Sequence, residues 1–240
     1  MWTPIALASE FRSYSKTVWR VVEAQHRIST NRLTDDSAVQ ARLEELADAA
    51  KPDLPKAARG KHYLLASPFR YGHKLPSRFR RAGERPGIFY ASEYEATAIA
   101  ETAYWRLRFF MRSPLAAPPT TTTEHLSFTV PLKVAKAIDL SAPPFDRDIS
   151  KWRDPDDYTA CQVLAAAARE AGAQLIRSLS ARDSEARPNV ALLDPAGFAA
   201  RTPSYRQTWH FRFERGRLSA IAAFPGGGSF TFGPETFGLK

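Results

Sequence analysis

The sequence is poor in the groups that brace small folds covalently or with metal. Its 240 residues include one cysteine, Cys161, which allows no internal disulfide and no Cys-based zinc site by itself. A reducing compartment fits that usage. No apolar run approaches the roughly 18–20 residues that cross a bilayer. The start, MWTPIALASEFRSYSK, has neither an h-region nor a small-residue cleavage site. The expectation is a soluble cytoplasmic protein that does not engage a membrane.

Several reaction motifs are missing as well. There is no P-loop and no G-x-G-x-x-G, and the Gly226-Gly227-Gly228 run follows the last strong strand instead of joining a strand to a helix. The five histidines (His26, His62, His73, His125, His210) show no H-x-H or H-E-x-x-H spacing, so no catalytic metal is expected. No serine sits in a G-x-S-x-G elbow, which leaves a Ser-His-Asp hydrolase unsupported.

What the chain has in excess is positive charge. Lys and Arg number 34 against 25 Asp and Glu, a net +9, within an otherwise ordinary globular composition of 44% hydrophobic and 25% charged residues. The length suits one large domain. Residues 51–112 hold thirteen basic and five acidic residues, so this quarter of the chain carries +8. Such a cluster neutralises a nucleic-acid backbone, aims a few arginine forks at one pyrophosphate, or forms a solvated basic face.

The apolar patterning gives alternating helices and strands. Lys16–Arg27 reads as a strand in which Arg20 interrupts Val18-Trp19 and Val21-Val22, making it an outward strand residue or a cation beside a pocket. Helical spacing follows from Asp35 to Ala50, with Asp35 or Asp36 as cap. His62–Ser67 reads as a short strand, Pro68–Pro86 as a basic loop, and Gly87–Ala91 as a buried strand. Ser92-x-x-Glu95 fits a capping box for a helix ending near Met111, before Pro114. Pro118-Pro119 and Thr120–Thr123 mark a loop, followed by strands at His125–Val130 and near Val134–Leu140. A helix is expected over about 156–171 behind Asp154-Pro155, then strands at 174–179 and 189–193. Thr208–Phe213 and Leu218–Phe224 form a hairpin, and the chain from about 225 to 240 reads as a mobile terminus.

Three residues draw attention by position. Glu101 falls three residues after Ala98 and four before Trp105, on or beside the apolar stripe. A carboxylate there is either paired with a local arginine or held beside a pocket where positive charge must be stabilised. Tyr90 closes a buried strand, as a core aromatic or as a platform for a flat ring. Ser180 lies in a strand-to-loop turn, where serines are usually structural.

In order, these segments resemble the RES-domain family, named for an arginine, a glutamate and a serine. The resemblance rests on VWRVVEAQHR, on PFRYGHKLPSRFRRAGERPGIFYASEYEATAIAE and on IRSLSARD with NVALL after it, and spans about residues 15–225. It matches Arg20 after Trp19 to the family's early arginine. The turn at Ser77-Arg78-Phe79-Arg80 answers to a Gly-Gly-Arg-Trp-Asn-like turn, although it lacks the glycines and the Trp-Asn pair. Tyr90, Glu101 and Ser180 answer to the strand-ending tyrosine, the helix glutamate and the late serine. A helical insertion of about 35–60 leaves both Arg20 and Arg70 as candidates for the first arginine, with Arg20 favoured.

The resemblance implies an α+β fold like that of ADP-ribosyltransferases, a single domain with a split mixed β-sheet core and flanking helices. It also implies the toxin of a toxin–antitoxin pair that cleaves NAD+ as substrate, with inorganic phosphate the expected co-substrate and no metal. Arg20, Glu101 and Ser180 would be catalytic, and Arg70, Arg78 and Tyr90 would bind NAD+. Glu101 would stabilise the ribose oxocarbenium, the arginines the pyrophosphate and attacking oxyanion, Tyr90 the nicotinamide side, and Ser180 a phosphate or the carboxamide. The implied partner is an Xre-like helix-turn-helix antitoxin, in a complex that admits a homodimer, with no direct contact to nucleic acid. Hydrolysis and protein ADP-ribosylation are the alternatives within enzymes, and a basic nucleic-acid-binding module the alternative outside them.

Overall fold

A computed structural model describes residues 2–24, 36–112 and 121–239. The strand end expected near Arg27, the cap at Asp35, His26 and the Pro118–Thr120 loop lie outside the described residues. The strands are β1 (Arg12–Glu23), β2 (Phe89–Ser92), β3 (Thr123–Asp139), β4 (Leu175–Leu179), β5 (Pro188–Leu192), β6 (Ser204–Glu214), β7 (Arg217–Ala222) and β8 (Ser229–Phe232). The helices are α1 (Pro4–Ala8), α2 (Ser37–Ala49), α3 (Tyr63–Arg70), α4 (Glu95–Met111), α5 (Ile149–Trp152) and α6 (Thr159–Glu170).

The long strand β3 organises the sheet. It runs antiparallel to β1 from Glu23↔His125 to Arg12↔Ala137. Residues 123–129 also pair with β6, whereas residues 137–139 pair in parallel with β4. Pro131, which has no N–H to give a ladder, falls in the gap between those two partners. There the gap is filled by the chain after β5, through the Ala199 N–H to Pro131 carbonyl bond (2.9 Å) and a bridge between Leu132 and Phe198. From β4 the order continues through β5 and β2 back to β1, where the register is Trp19↔Ser92. β7 and β8 extend the other branch from β6. The protein is therefore a mixed α+β fold with a mixed sheet and flanking helices.

Alternation on the strands sends apolar side chains to both faces, and the helices cover them. On one face Leu164, Ala165 and Ala168 of α6 meet Ile138, Ile176 and Ala191, with buried Cys161 as a small apolar filler. On the other, Leu65 and Phe69 of α3 pack on Phe89, Val130, Leu175 and Leu192. Ile99, Ala103 and Leu107 of α4 close over Val21, Trp209, Phe211 and Leu218.

Four expectations are corrected. His62–Ser67 is not a strand but the start of α3, because its buried residues (Leu65, Ala66, Phe69) fall on one helical face and His62 Nδ1 accepts the Leu64 N–H. The two strands expected between 125 and 140 are one, β3. Ser92 does not cap α4, whose N-cap is Tyr94 without a side-chain bond. The C-terminal segment is not a loose tail: β8 pairs with β7, and Phe237 is buried against Tyr104 and Phe232. Asp36 does cap α2, accepting from the Ala38 and Val39 amides.

A buried ionic network ties the first four strands. The Glu93 side chain, 6% exposed, accepts from Arg177 Nε at 2.7 Å, from Lys16 Nζ at 2.6 Å and from the Tyr14 hydroxyl at 3.3 Å. Arg177 also reaches Asp139 at 3.1 Å. Burial alone raises the Glu93 carboxyl, but Arg177 and Lys16 outweigh it and hold the group below its ordinary 4.5. The unfolded chain therefore binds the proton more readily, and this stabilisation is complete above about pH 4.5 and lost as pH falls through the folded-state value. Glu93→Gln is expected to lower stability by about 1–2 kcal/mol at pH 7, because it leaves the half-buried Arg177 with Asp139 as its remaining carboxylate. Urea denaturation followed from pH 7 down to 3 should show the gap between variant and wild type closing below pH 4.5.

Candidate active site

One register row across four strands forms a wall of the site. Trp19 of β1 lies opposite Ser92 of β2, Ser92 opposite Asn189 of β5, and Asn189 opposite Ser178 of β4. All four line a cavity of about 710 Å³, a size suited to a cofactor-sized ligand. Glu101, Thr102 and Trp105 of α4 form a second wall, the Ser77–Arg80 loop a third, and Tyr158 and Arg182 complete it.

Glu101 sits at the edge of the buried face of α4, and its partners are neutral. The Ser180 hydroxyl donates to Oε1 at 2.7 Å and Asn189 Nδ2 donates to the same oxygen at 2.5 Å. Asn189 Oδ1 accepts in turn from Ser92 Oγ at 2.6 Å. Among the described residues no hydrogen bond reaches Glu101 Oε2. The local arginine that could have paired with this carboxylate is not its partner.

Ser180 is 1% exposed and is not among the residues that line the cavity. Its oxygen accepts the amides of Arg182 (3.0 Å) and Asp183 (3.1 Å) while its proton goes to Glu101. The hydroxyl thus bonds Glu101 and two backbone amides. The turn is braced from below, where Asp183 accepts from Thr97 Oγ1 at 2.6 Å and from Arg187 Nε at 2.6 Å.

Arg20 lines the cavity, donating to the Tyr90 carbonyl at 3.3 Å with its guanidinium 4.8 Å from the Phe89 ring centroid. Burial pushes it down to about 10, so it remains a cation at neutral pH. Arg70, the last residue of α3, is not among the lining residues. Arg78 stands on the third wall, bonded to the Trp152 carbonyl at 2.7 Å and lying 4.9 Å from the Tyr158 ring centroid.

The loop that presents Arg78 is held at three points. The Tyr90 hydroxyl bonds Ser77 Oγ at 2.8 Å and accepts the Phe79 amide at 3.2 Å. Gln162 of α6 donates to the Ser77 carbonyl at 3.0 Å. Buried Arg80 donates to the carbonyls of His73, Leu75 and Arg81. Burial raises the Tyr90 phenol, so it stays protonated. Its ring lines the cavity while its hydroxyl serves the loop.

Sequence reading missed Asn189, Ser92, Arg182 and Tyr158 as site residues. Ser92 and Asn189 carried a usable signal, because each is a polar residue next to a buried apolar strand residue, Ala91 and Val190. Arg182 carried none. Its guanidinium is buried 3.6 Å from the Tyr104 ring centroid and bonds the Pro155 carbonyl, contacts between segments far apart in sequence.

A family model described as RES domain matches residues 53–214. That span includes Arg70, Arg78, Tyr90, Glu101 and Ser180, and Arg20 lies before it. A solved structure, the M. tuberculosis MbcT–MbcA toxin–antitoxin complex, is similar at 12% identity, with a TM-score of 0.48, covering 85% of this chain and 91% of that one. No curated protein matches the chain.

Removing the Tyr90 hydroxyl releases two loop contacts at once. Tyr90→Phe is expected to cost about 1–2 kcal/mol of stability. Hydrogen exchange should show lost protection at the Phe79 amide before any change in the β3 amides. Equal loss at both would mean that the hydroxyl does not act on the loop in particular.

Proposed function

The chain belongs to the RES-domain family, and from that premise we propose that it cleaves the nicotinamide–ribose bond of NAD+, with inorganic phosphate as acceptor, as the toxin of a toxin–antitoxin pair. The observation that carries this reading is Glu101: a carboxylate on a cavity wall, held by two neutral donors through one oxygen, with Arg20 and Arg78 on the same cavity. Such a site offers separate negative and positive regions to one ligand.

In this mechanism the C1′–N bond of the nicotinamide ribose breaks with its electron pair going to the pyridinium nitrogen, and nicotinamide leaves neutral. The ribose gains oxocarbenium character, which the Glu101 carboxylate stabilises while Oε2 accepts a ribose hydroxyl. A phosphate oxygen then bonds C1′, giving ADP-ribose phosphorylated at that carbon. Arg20 and Arg78 bind the pyrophosphate and the entering oxyanion. The Tyr90 and Trp105 rings supply flat apolar surface for the leaving base. The passage of β3 from β6 to β4 supports an ADP-ribosyltransferase-like split of the sheet. A toxin of this kind acts in the cytoplasm and is held inactive by an antitoxin of the Xre-like class.

The basic cluster favours a pocket over a nucleic-acid surface. Within it Arg80 is buried on three carbonyls, Arg78 lines the cavity, and Arg106 pairs with Glu23 at 3.0 Å. Charges turned inward do not track a phosphate backbone.

Purified protein is expected to release nicotinamide from NAD+, faster with phosphate than without. Glu101→Gln should lower kcat about 10³-fold with the fold intact by circular dichroism, and Arg20→Ala should chiefly raise KM. Chromatography of the products distinguishes the ribose phosphate from free ADP-ribose. Absence of nicotinamide under both conditions would end this reading.

A further inference from the structure

Asn189 and Ser92 have no role in the bond-breaking steps, yet Asn189 donates directly to the Glu101 carboxylate and Ser92 holds Asn189. We infer that they act as a positioning pair that fixes the orientation of the Glu101 carboxylate and reserves Oε2 for the ligand. The kinetic side of this inference rests on the NAD+-cleavage reading, whereas its structural side does not.

The direction of each bond follows from the charge. An ionised carboxylate only accepts, so the Asn189 amide must turn its NH2 to Glu101 Oε1, at 2.5 Å. That turns Oδ1 the other way, where it needs a donor. Ser92 Oγ supplies it at 2.6 Å. The amide therefore cannot flip without breaking two bonds. Both residues sit on paired strands, Ser92 opposite Asn189, with Asn189 also opposite Ser178 on its other side. A strand-mounted donor holds its direction more tightly than one on a turn.

The residue types matter as much as the geometry. An arginine or lysine at 189 would also hold the carboxylate, but it would spend the negative charge in an ion pair. Asparagine and serine restrain Glu101 while leaving its charge to act on a developing cation. An aspartate at 189 would set two carboxylates within bonding distance, where both cannot ionise freely. Asn189 is thus the type that orients without neutralising, and Ser92 keeps the amide the right way round. Ser92 ends β2, two residues before the Tyr94 N-cap of α4, so its hydroxyl has no capping role and is engaged by Asn189.

Two measurements test the pair. In the first, NMR of the wild-type protein should show the Asn189 side-chain amide with one proton shifted downfield and slow to exchange. That signature should vanish in Glu101→Ala and weaken in Ser92→Ala. In the second, Asn189→Ala should lower kcat about 10²-fold, and Ser92→Ala about 5–10-fold, each with KM changed less than about twofold. Asn189→Asp should be at least as impaired as Asn189→Ala. An Asn189 amide signal indifferent to Glu101→Ala overturns the inference whether or not NAD+ is cleaved. So does a wild-type kcat in Ser92→Ala, which removes only one hydroxyl and tests the pair even if the Asn189 variants fold poorly. Wild-type protein that releases no nicotinamide, with the amide signature present and dependent on Glu101, would sink the NAD+ reading and leave the positioning pair standing.

Discussion

Glu101 sets a carboxylate against the wall of the cavity, and the surrounding elements are arranged to meet that charge with donors. A half-buried carboxylate without partners is costly by several kcal/mol. Here three separate pieces of chain supply what it needs: α4 carries the group, the turn after β4 brings Ser180, and β5 brings Asn189. Each donor is itself fixed by a further bond, Ser180 by the amides of Arg182 and Asp183 and Asn189 by Ser92. The register row from Trp19 to Ser178 therefore has a function beyond sheet formation. A shift of one residue between β2 and β5 would turn Ser92 or Asn189 to the opposite face and leave the carboxylate with one donor.

Positive charge is handled by the same logic in reverse. Guanidinium groups that leave water need acceptors, and the interior offers mostly backbone carbonyls. Arg80 takes three of them, Arg20 takes the Tyr90 carbonyl, and Arg78 takes that of Trp152. Carbonyl oxygens satisfy hydrogen bonds without cancelling the charge. Arg177, by contrast, is neutralised by Glu93 and Asp139 and serves the sheet. These arginines thus divide into Arg177, paired with carboxylates, and Arg20, Arg78 and Arg80, held on carbonyls with their charge uncancelled.

Much of this was legible in the sequence, and the failures have physical causes. The hairpin of β6 and β7 followed from strict alternation, and α4 from its apolar spacing. Glu101 could be placed at the stripe's edge by counting along that helix. The run at His62 misled because six residues with apolar neighbours fit both periods, and only packing against Phe89 and Leu175 selects the helix. The terminus misled because its glycines suggest looseness, whereas Phe230, Phe232 and Phe237 bury themselves against the Trp209 side of the sheet. In the sequence Arg20 is favoured over Arg70 by its place after Trp19, with both kept as candidates. Only the β1–β2 contact brings the first to the cavity, and no local pattern encodes a contact across 70 residues.

The two sides of the cavity are built differently, and the difference bears on how it meets a ligand. The anionic side rests on strands and a helix, whose backbone bonds fix it. The cationic side at Arg78 rests on a loop, which is held by side chains: the Tyr90 hydroxyl, Gln162 and Arg80. Those tethers converge on residues 73–81, leaving the Arg78 guanidinium packed on Tyr158 at the cavity wall. Electrostatic stabilisation is largest when charges need not reorganise as the ligand's charge changes. A carboxylate braced by neutral donors and a loop braced by a phenol, an amide and a guanidinium meet that condition on both sides, with β2, which carries Tyr90 and Ser92, as the common support.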